Sequence, residues 1–419
     1  MQARYNFQAD PDRLLAIAHK WGTPTYVYNE KIIRDRCRKL QKLFPDLPVA
    51  WLYAVKANDN PHILEIIHNE GMGFDTVSYE EVLLCRKLGV DPGEIFYTEN
   101  NMTDAEMNAA ATMGVTLNIG SLGRLRLFCE TYPGSSCSIR LKPDISDGHH
   151  VKVDTGNEDS KFGIRMDHIP DVRRLSKEHQ VRIRGIHAHI GSGIRKPENL
   201  LAEIKILLKA AQEFTHLEFI NFGGGIPIPY QNDEEEFNLS GFAELASPDF
   251  RDFLEQNDLE TTFYFEPGRF IVGPAGLLLT QVNTVKDQGR KIFLGTDTGF
   301  NHLLRPALYD AFHEVVNLST GAISDKTAVY DIAGNICESG DILAFNRSLP
   351  ITSPGDYLAI LDTGAYGMTM SSYYNRRALP AEVMITDDGF HKIIRDRISA
   401  AETVDKFLVE TGKQPKPIS

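Results

Sequence analysis

No uninterrupted apolar stretch of this chain reaches the ~18 residues needed to cross a bilayer. The nearest, Phe270 to Val282, is broken by Gly273, Pro274 and Gly276. Cysteine is equally sparse: five in 419 residues, at positions 37, 85, 129, 137 and 337, an odd count without metal-type spacing. That argues against a disulfide framework and against a cysteine metal centre. Basic charge is in deficit, with 44 Lys and Arg against 57 Asp and Glu, for a net charge of −13. Such a surface does not recruit phosphate backbones, so neither a nucleic-acid nor a membrane partner is expected. Internal repeats, coiled coils and low-complexity tracts are missing, and the acidic run Asp233–Glu236 reads as a solvated loop. The amino terminus lacks the basic-then-apolar order of a secretory signal, so a cytoplasmic location is expected.

What is present is the composition of a globular protein long enough for two or three domains. From about residue 30 to about 270, helix-like segments alternate with apolar runs at Pro48–Val55, Gly73–Val77, Ile95–Tyr97, Thr116–Asn118, Ser138–Leu141, Arg184–His189, Leu217–Phe222 and Phe263–Phe265. This alternation predicts an α/β fold with an eight-stranded β/α (TIM-like) barrel over 30–271, a doubly wound open sheet being the alternative. After Arg269 the runs follow one another without long helices, at Leu277–Val285, Lys291–Gly295, Thr327–Ile332, Tyr357–Leu361 and Ala381–Ile385. They predict a mostly antiparallel β domain that also takes in Pro24–Tyr28, making it discontinuous over 1–29 and 272–419.

Lys56 stands at the carboxyl end of the first barrel run, where α/β proteins bind ligands. A lysine desolvated by apolar neighbours favours the neutral amine, a nucleophile toward an aldehyde, though a strand-end lysine can also simply snorkel to water. His187 and His189, at i and i+2, could suggest a metal, but no carboxylate or cysteine nearby completes a site. An imidazole stacked on a ring, with Ser192 bonding an anion, is the more economical reading, beside a merely structural histidine. Gly223, Gly224 and Gly225 allow backbone N–H groups to converge on a phosphate, although a tight turn needs the same residues. The dinucleotide spacing GxGxxG is missing there, and Pro227 and Pro229 break the segment. Glu266-Pro-Gly-Arg269 places a carboxylate and an anion clamp at another strand end, where a turn salt bridge is the plain alternative.

Taken in order, Lys56, His189, the triple glycine and Glu266-Pro-Gly-Arg269 resemble the pyridoxal-phosphate decarboxylases of the alanine-racemase-like fold, and among them the diaminopimelate decarboxylase family. The resemblance runs from about Trp21 to about Arg397. Its more specific motifs are Cys337-Glu-Ser-Gly-Asp341 and Asp362-Thr-Gly-Ala-Tyr366-Gly followed by Ser372-Tyr-Tyr-Asn375. It implies pyridoxal 5'-phosphate anchored covalently on Lys56, with His189 stacked on its ring and Glu266 at the pyridine nitrogen. Ser192, Gly223, Gly224, Gly225 and Tyr366 would bind the phosphate, and Asp75 is counted with the cofactor-binding residues. Substrate contacts would come from Arg269, Arg305, Tyr309, Glu338 and Tyr366.

By the same resemblance, Cys337 and Glu338 come from the partner subunit of a head-to-tail homodimer, and Cys337 or Lys56 delivers the final proton, Cys337 being favoured. In the family the arginine and tyrosine spaced like Arg305 and Tyr309 hold a distal carboxylate. The implied reaction is decarboxylation of meso-2,6-diaminopimelate to L-lysine and carbon dioxide, the last step of lysine biosynthesis. Rivals are D-lysine, D-ornithine or a carboxylated polyamine as substrate, a racemase, or a non-catalytic regulatory relative. The chain departs from the family pattern at Ile226–Tyr230 and around Asn157–Gly163, which bears on loop shape.

Overall fold

The structure, a computed structural model, describes residues 10–143, 160–189, 191, 193–194, 196–231, 233–257, 260–320 and 326–416. It divides into two compact units, one of Arg34–Pro229 with Glu235–Ile271, the other of Met1–Ile33, Tyr230–Glu234 and Val272–Ser419. In chain order the first strand, β1 (Thr25–Asn29), belongs to the second unit. Eight strands of the first unit form its barrel: β2 (Val49–Ala54), β3 (Gly73–Thr76), β4 (Ile95–Thr98), β5 (Thr116–Ile119), β6 (Ser136–Lys142), β7 (Arg182–His187), β8 (Phe219–Asn221) and β9 (Thr262–Phe265), with a two-residue strand, Ile164–Arg165, paired beside the end of β6. Each pairs in parallel with the next, and β9 pairs with β2, so the sheet closes into a barrel and the open-sheet alternative is excluded.

Local sequence sets the βα connections. Asn60, Ser78, Thr103 and Ser121 each accept a backbone N–H at the start of the helix that follows β2, β3, β4 or β5, a capping contact worth about 1 kcal/mol each. On β9, Phe263 and Phe265 are buried, and Phe263 stacks at 4.2 Å on Phe250 of the helix Leu239–Asn257. The alternate residue Tyr264 packs instead with Leu52, Phe96 and Phe219, an apolar cluster inside the barrel. Two residues further along the same faces of β8 and β9 come Asn221 and Glu266. The register Arg140↔His187↔Asn221 brings Arg140 and His187 into one layer with them. The period of two thus converts an apolar cluster into a polar layer at the carboxyl ends of the strands.

The second unit is a sheet around β10 (Gly276–Asp287), followed by β11 (Ile292–Thr296), β12 (Val315–Asn317), β13 (Thr327–Ala333), β14 (Ile342–Pro350), β15 (Tyr357–Ile360), β16 (Ala381–Ile385) and β17 (His391–Arg395). β10 pairs antiparallel with β1, β11 and β15, and among the described strands of this second sheet only the β1–β16 and β11–β13 pairings are parallel. Its core gathers Val27, Leu277, Leu279 and Val383 against Leu14 and Ile17 of the helix Pro11–Trp21.

Candidate active site

Lys56 lies in a 3-10 turn, Val55–Ala57, just past β2. Its Nζ is 2.5 Å from Oδ2 of Asp75, a residue of β3 that the register Ala54↔Asp75 sets beside it. The surroundings are therefore ionic where apolar neighbours were expected, and a carboxylate favours the ammonium over the neutral amine. Burial raises the Asp75 pKa to about 6, with the Glu266 charge adding to the rise and Lys56 opposing it. The turn after β9 packs directly on this segment: Ala54 N–H donates to the Pro267 carbonyl at 3.2 Å, and a Cβ on Gly268 would come within 2.9 Å of the Ala57 Cβ.

Glu266 is buried in the polar layer. Asn221 Nδ2 donates to its Oε1 at 2.8 Å, and His187 Nε2 lies 3.3 Å from the same oxygen. Burial raises the Glu266 pKa, while Lys56, the Asn221 hydrogen bond and Arg140 oppose the rise. Burial, reinforced by the Arg140 charge, holds both His187 and His189 well below the usual histidine range, so both imidazoles are neutral. The sequence alone offers His187 only as half of a possible metal pair, and gives Asn221 and Arg140 no role. Arg140, a cation inside an otherwise apolar run, was the available signal.

The three glycines answer to packing as well as to any ligand. A Cβ on Gly224 would stand 2.4 Å from the Glu266 carbonyl oxygen, and Gly223, at φ +65°, donates its N–H to Asn221 Oδ1 at 2.9 Å. Gly224 N–H donates to Nδ1 of His189 at 3.3 Å, which fixes that imidazole's orientation and tautomer. His189 is thereby placed beside the glycine run but two residues beyond β7, not on the strand with His187. Arg269 is buried at the start of the short helix Arg269–Val272. Ser192 lies outside the described residues.

The remaining candidates belong to the second unit. Arg305 and Tyr309 open and close one helical turn, Arg305–Tyr309, and so share a face at i and i+4. Arg305 is buried and Tyr309 half-buried. Tyr366 is half-buried with φ +57°, a left-handed conformation costly for a side chain of its size, in a segment where a Cβ on Gly364 would overlap the Val272 carbonyl. Cys337 and Glu338 are exposed on the loop between β13 and β14. Asp341 organises that loop by accepting the N–H groups of Ile336 and Phe300, at 2.7 and 2.6 Å, and Glu338 accepts the Tyr374 hydroxyl.

Residues 30–273 match the model of the pyridoxal-dependent decarboxylase, pyridoxal binding domain. A diaminopimelate decarboxylase of Methanothermobacter thermautotrophicus is 41% identical over 91% of this chain and 90% of its own length. The chain belongs to the diaminopimelate decarboxylase family. Another member, from Aquifex aeolicus, is 35% identical over 92% of this chain and 91% of its own. The crystal structure of the Helicobacter pylori diaminopimelate decarboxylase complexed with L-lysine superposes with a TM-score of 0.85 at 29% identity, covering 96% of this chain and all of that one. Pyridoxal 5'-phosphate is the cofactor and decarboxylation the reaction class of this family. The residues present suit that group: a lysine amine for its aldehyde, a buried carboxylate fixed by Asn221 for a ring N–H, and a neutral imidazole at His189. Asp75 Oδ1 and His187 Nδ1 are buried with no hydrogen-bond partner among the described residues. Among the described residues no group of three or more His, Cys, Asp or Glu side chains could hold a metal ion, and no helix is long and apolar enough to cross a membrane.

Proposed function

We propose that this diaminopimelate decarboxylase family member converts meso-2,6-diaminopimelate to L-lysine and carbon dioxide in the cytoplasm. It would act as a homodimer whose active sites draw on both chains. The carrying observation is the buried Glu266 carboxylate, gripped by Asn221 and electrostatically coupled to the Lys56–Asp75 pair. Bound pyridoxal phosphate supplies the electron sink for the pair left on Cα when carbon dioxide departs. Lys56 anchors it, Asp75 holds the Lys56 nitrogen in place, and His189 and the Gly223–Gly225 run position the ring and phosphate with Ser192 and Tyr366. Glu266 keeps a negative charge against the ring nitrogen and so favours its protonated form, where a racemase would present an arginine. Cys337, supplied by a partner chain, delivers the proton to Cα.

Substrate choice rests on Arg305, Tyr309 and Arg269 for the distal carboxylate and Glu338 for the distal amine, since guanidinium to carboxylate pairing penalises substrates lacking that group. The barrel over 30–271 serves as the cofactor domain and 1–29 with 272–419 as its β-rich companion. Purified protein with pyridoxal phosphate and meso-diaminopimelate is expected to release carbon dioxide and L-lysine in equal amounts. Faster turnover of D-lysine, D-ornithine or a carboxylated polyamine would overturn the substrate assignment. Borohydride reduction followed by peptide mass spectrometry is expected to find the cofactor on Lys56. Labelling that persists in Lys56→Ala would overturn the anchor.

A further inference from the structure

Arg305 is held from two directions. Its Nη1 donates to Nε2 of His313 at 2.8 Å, and its Cζ lies 4.7 Å from the centroid of the Tyr230 ring. His313 is completely buried, and its Nδ1 donates to the Leu361 carbonyl at 2.8 Å. The Tyr230 and His313 rings meet edge to face, with centroids 5.4 Å apart and planes at 82°, so the three side chains form one contact set. Tyr230 closes the Ile226–Tyr230 segment in which the chain departs from the commoner family sequence.

Donor and acceptor accounting fixes the state of His313. A guanidinium has only donors and a carbonyl only accepts, so the imidazole must accept at Nε2 and donate at Nδ1. His313 is therefore neutral and in one tautomer, set from behind by Leu361. Neither contact cancels the charge of Arg305. A carboxylate in the place of His313 would hold the guanidinium as firmly but would compete with an incoming carboxylate for the same charge. An aromatic face likewise orients the guanidinium plane while leaving it cationic.

We propose that His313 and Tyr230 are positioning residues for substrate selection, holding the Arg305 guanidinium in the orientation that receives the substrate's distal carboxylate. The inference rests on the reading of Arg305 given above. The test measures kcat and KM for meso-diaminopimelate, and kcat/KM for D-lysine, which lacks the distal carboxylate. Both are followed in the wild type, Arg305→Met, His313→Leu, His313→Gln, Tyr230→Leu and Tyr230→Phe holoenzymes. His313→Leu removes the acceptor, and Tyr230→Leu the ring. Each is expected to lower the preference for meso-diaminopimelate over D-lysine by about 10- to 100-fold, chiefly through KM, the range set by a hydrogen bond to a charged group. His313→Gln, whose amide oxygen can accept from Arg305, and Tyr230→Phe, which keeps the ring, are expected to recover most of the preference.

An unchanged preference in Arg305→Met would overturn the reading of Arg305 itself. A preference that collapses in Arg305→Met yet survives in both His313→Leu and Tyr230→Leu would overturn the positioning role alone. Where His313→Leu does not fold, Tyr230→Leu, on a loop, decides: a wild-type preference there sinks the proposal. Equal losses on both substrates, without rescue by His313→Gln or Tyr230→Phe, would also count against it.

Discussion

Both ends of the Asn221 side chain are engaged, Nδ2 with Glu266 and Oδ1 with the Gly223 N–H, so one amide couples the glycine run to the ring-nitrogen carboxylate. Removing it leaves Glu266 with one donor fewer in a buried layer where burial already favours its protonated form. Asn221→Ala is expected to lower kcat by about 10- to 100-fold at saturating pyridoxal phosphate, the ~1.5–3 kcal/mol of a hydrogen bond to a charged group. Asn221→Asp should do worse, because it sets a second carboxylate against Glu266. Steady-state kinetics of the two holoenzymes checks both, and wild-type kcat in Asn221→Ala would refute the coupling. Asn221 was not legible in the sequence, because an asparagine opening a glycine turn is equally explained by the turn. Lys56 was visible as a strand-end residue. Its Asp75 partner emerged as a contact only with the β2–β3 register, which no single run encodes.

Helix Pro197–Ala211 carries an oddity of its own, the fully buried Glu203, whose two carboxylate oxygens have no hydrogen-bond partner among the described residues. Burial pushes this acid well above its ordinary 4.5, with Arg140 opposing and the Glu266 charge adding to the rise. The folded chain thus keeps a proton that the unfolded chain releases above about pH 4.5. Its contribution to stability falls by up to ~1.4 kcal/mol per pH unit from there until the buried acid itself ionises. Glu203→Gln cannot ionise, so its stability in urea should decline less steeply than the wild type's between about pH 5.5 and 8. Parallel curves would show that Glu203 is ionised in the fold.

At this scale the barrel was readable because its strands are apolar runs spaced out by intervening segments, most of them helix-like. The second unit was less so. β12 spans three residues, β14 alternates irregularly through register shifts against β13, and β17 is a half-exposed strand of charged and apolar residues. None of these rises above the pattern of a loop. The helices Pro11–Trp21 and Ala400–Glu410 also escaped the sequence reading, although Asp10 and Ser399 supply ordinary N-caps.

Across the whole molecule, the hairpin of β13 and β14 combines two features that a lone chain does not explain. Val329 and Phe345 on its strands, with Ile351 just beyond, are each at least half exposed, and the loop joining the strands carries the exposed Cys337 and Glu338. An apolar skin on the element that bears a proposed proton donor is what docking onto a second copy requires. If each active site takes Lys56 from one chain and Cys337 from the other, Lys56→Ala and Cys337→Ala homodimers both lack complete sites. In a mixed dimer, one site combines both substitutions and the other has neither. Random reassortment makes about half the dimers mixed, each with one intact site in two, so co-expression of the two variants should restore about one quarter of wild-type activity. Differently tagged chains, recovered as mixed dimers by tandem purification, should show about half of wild-type activity per dimer. Mixed dimers no more active than either parent would mean that Lys56 and Cys337 serve the same site from one chain, or that Cys337 serves none.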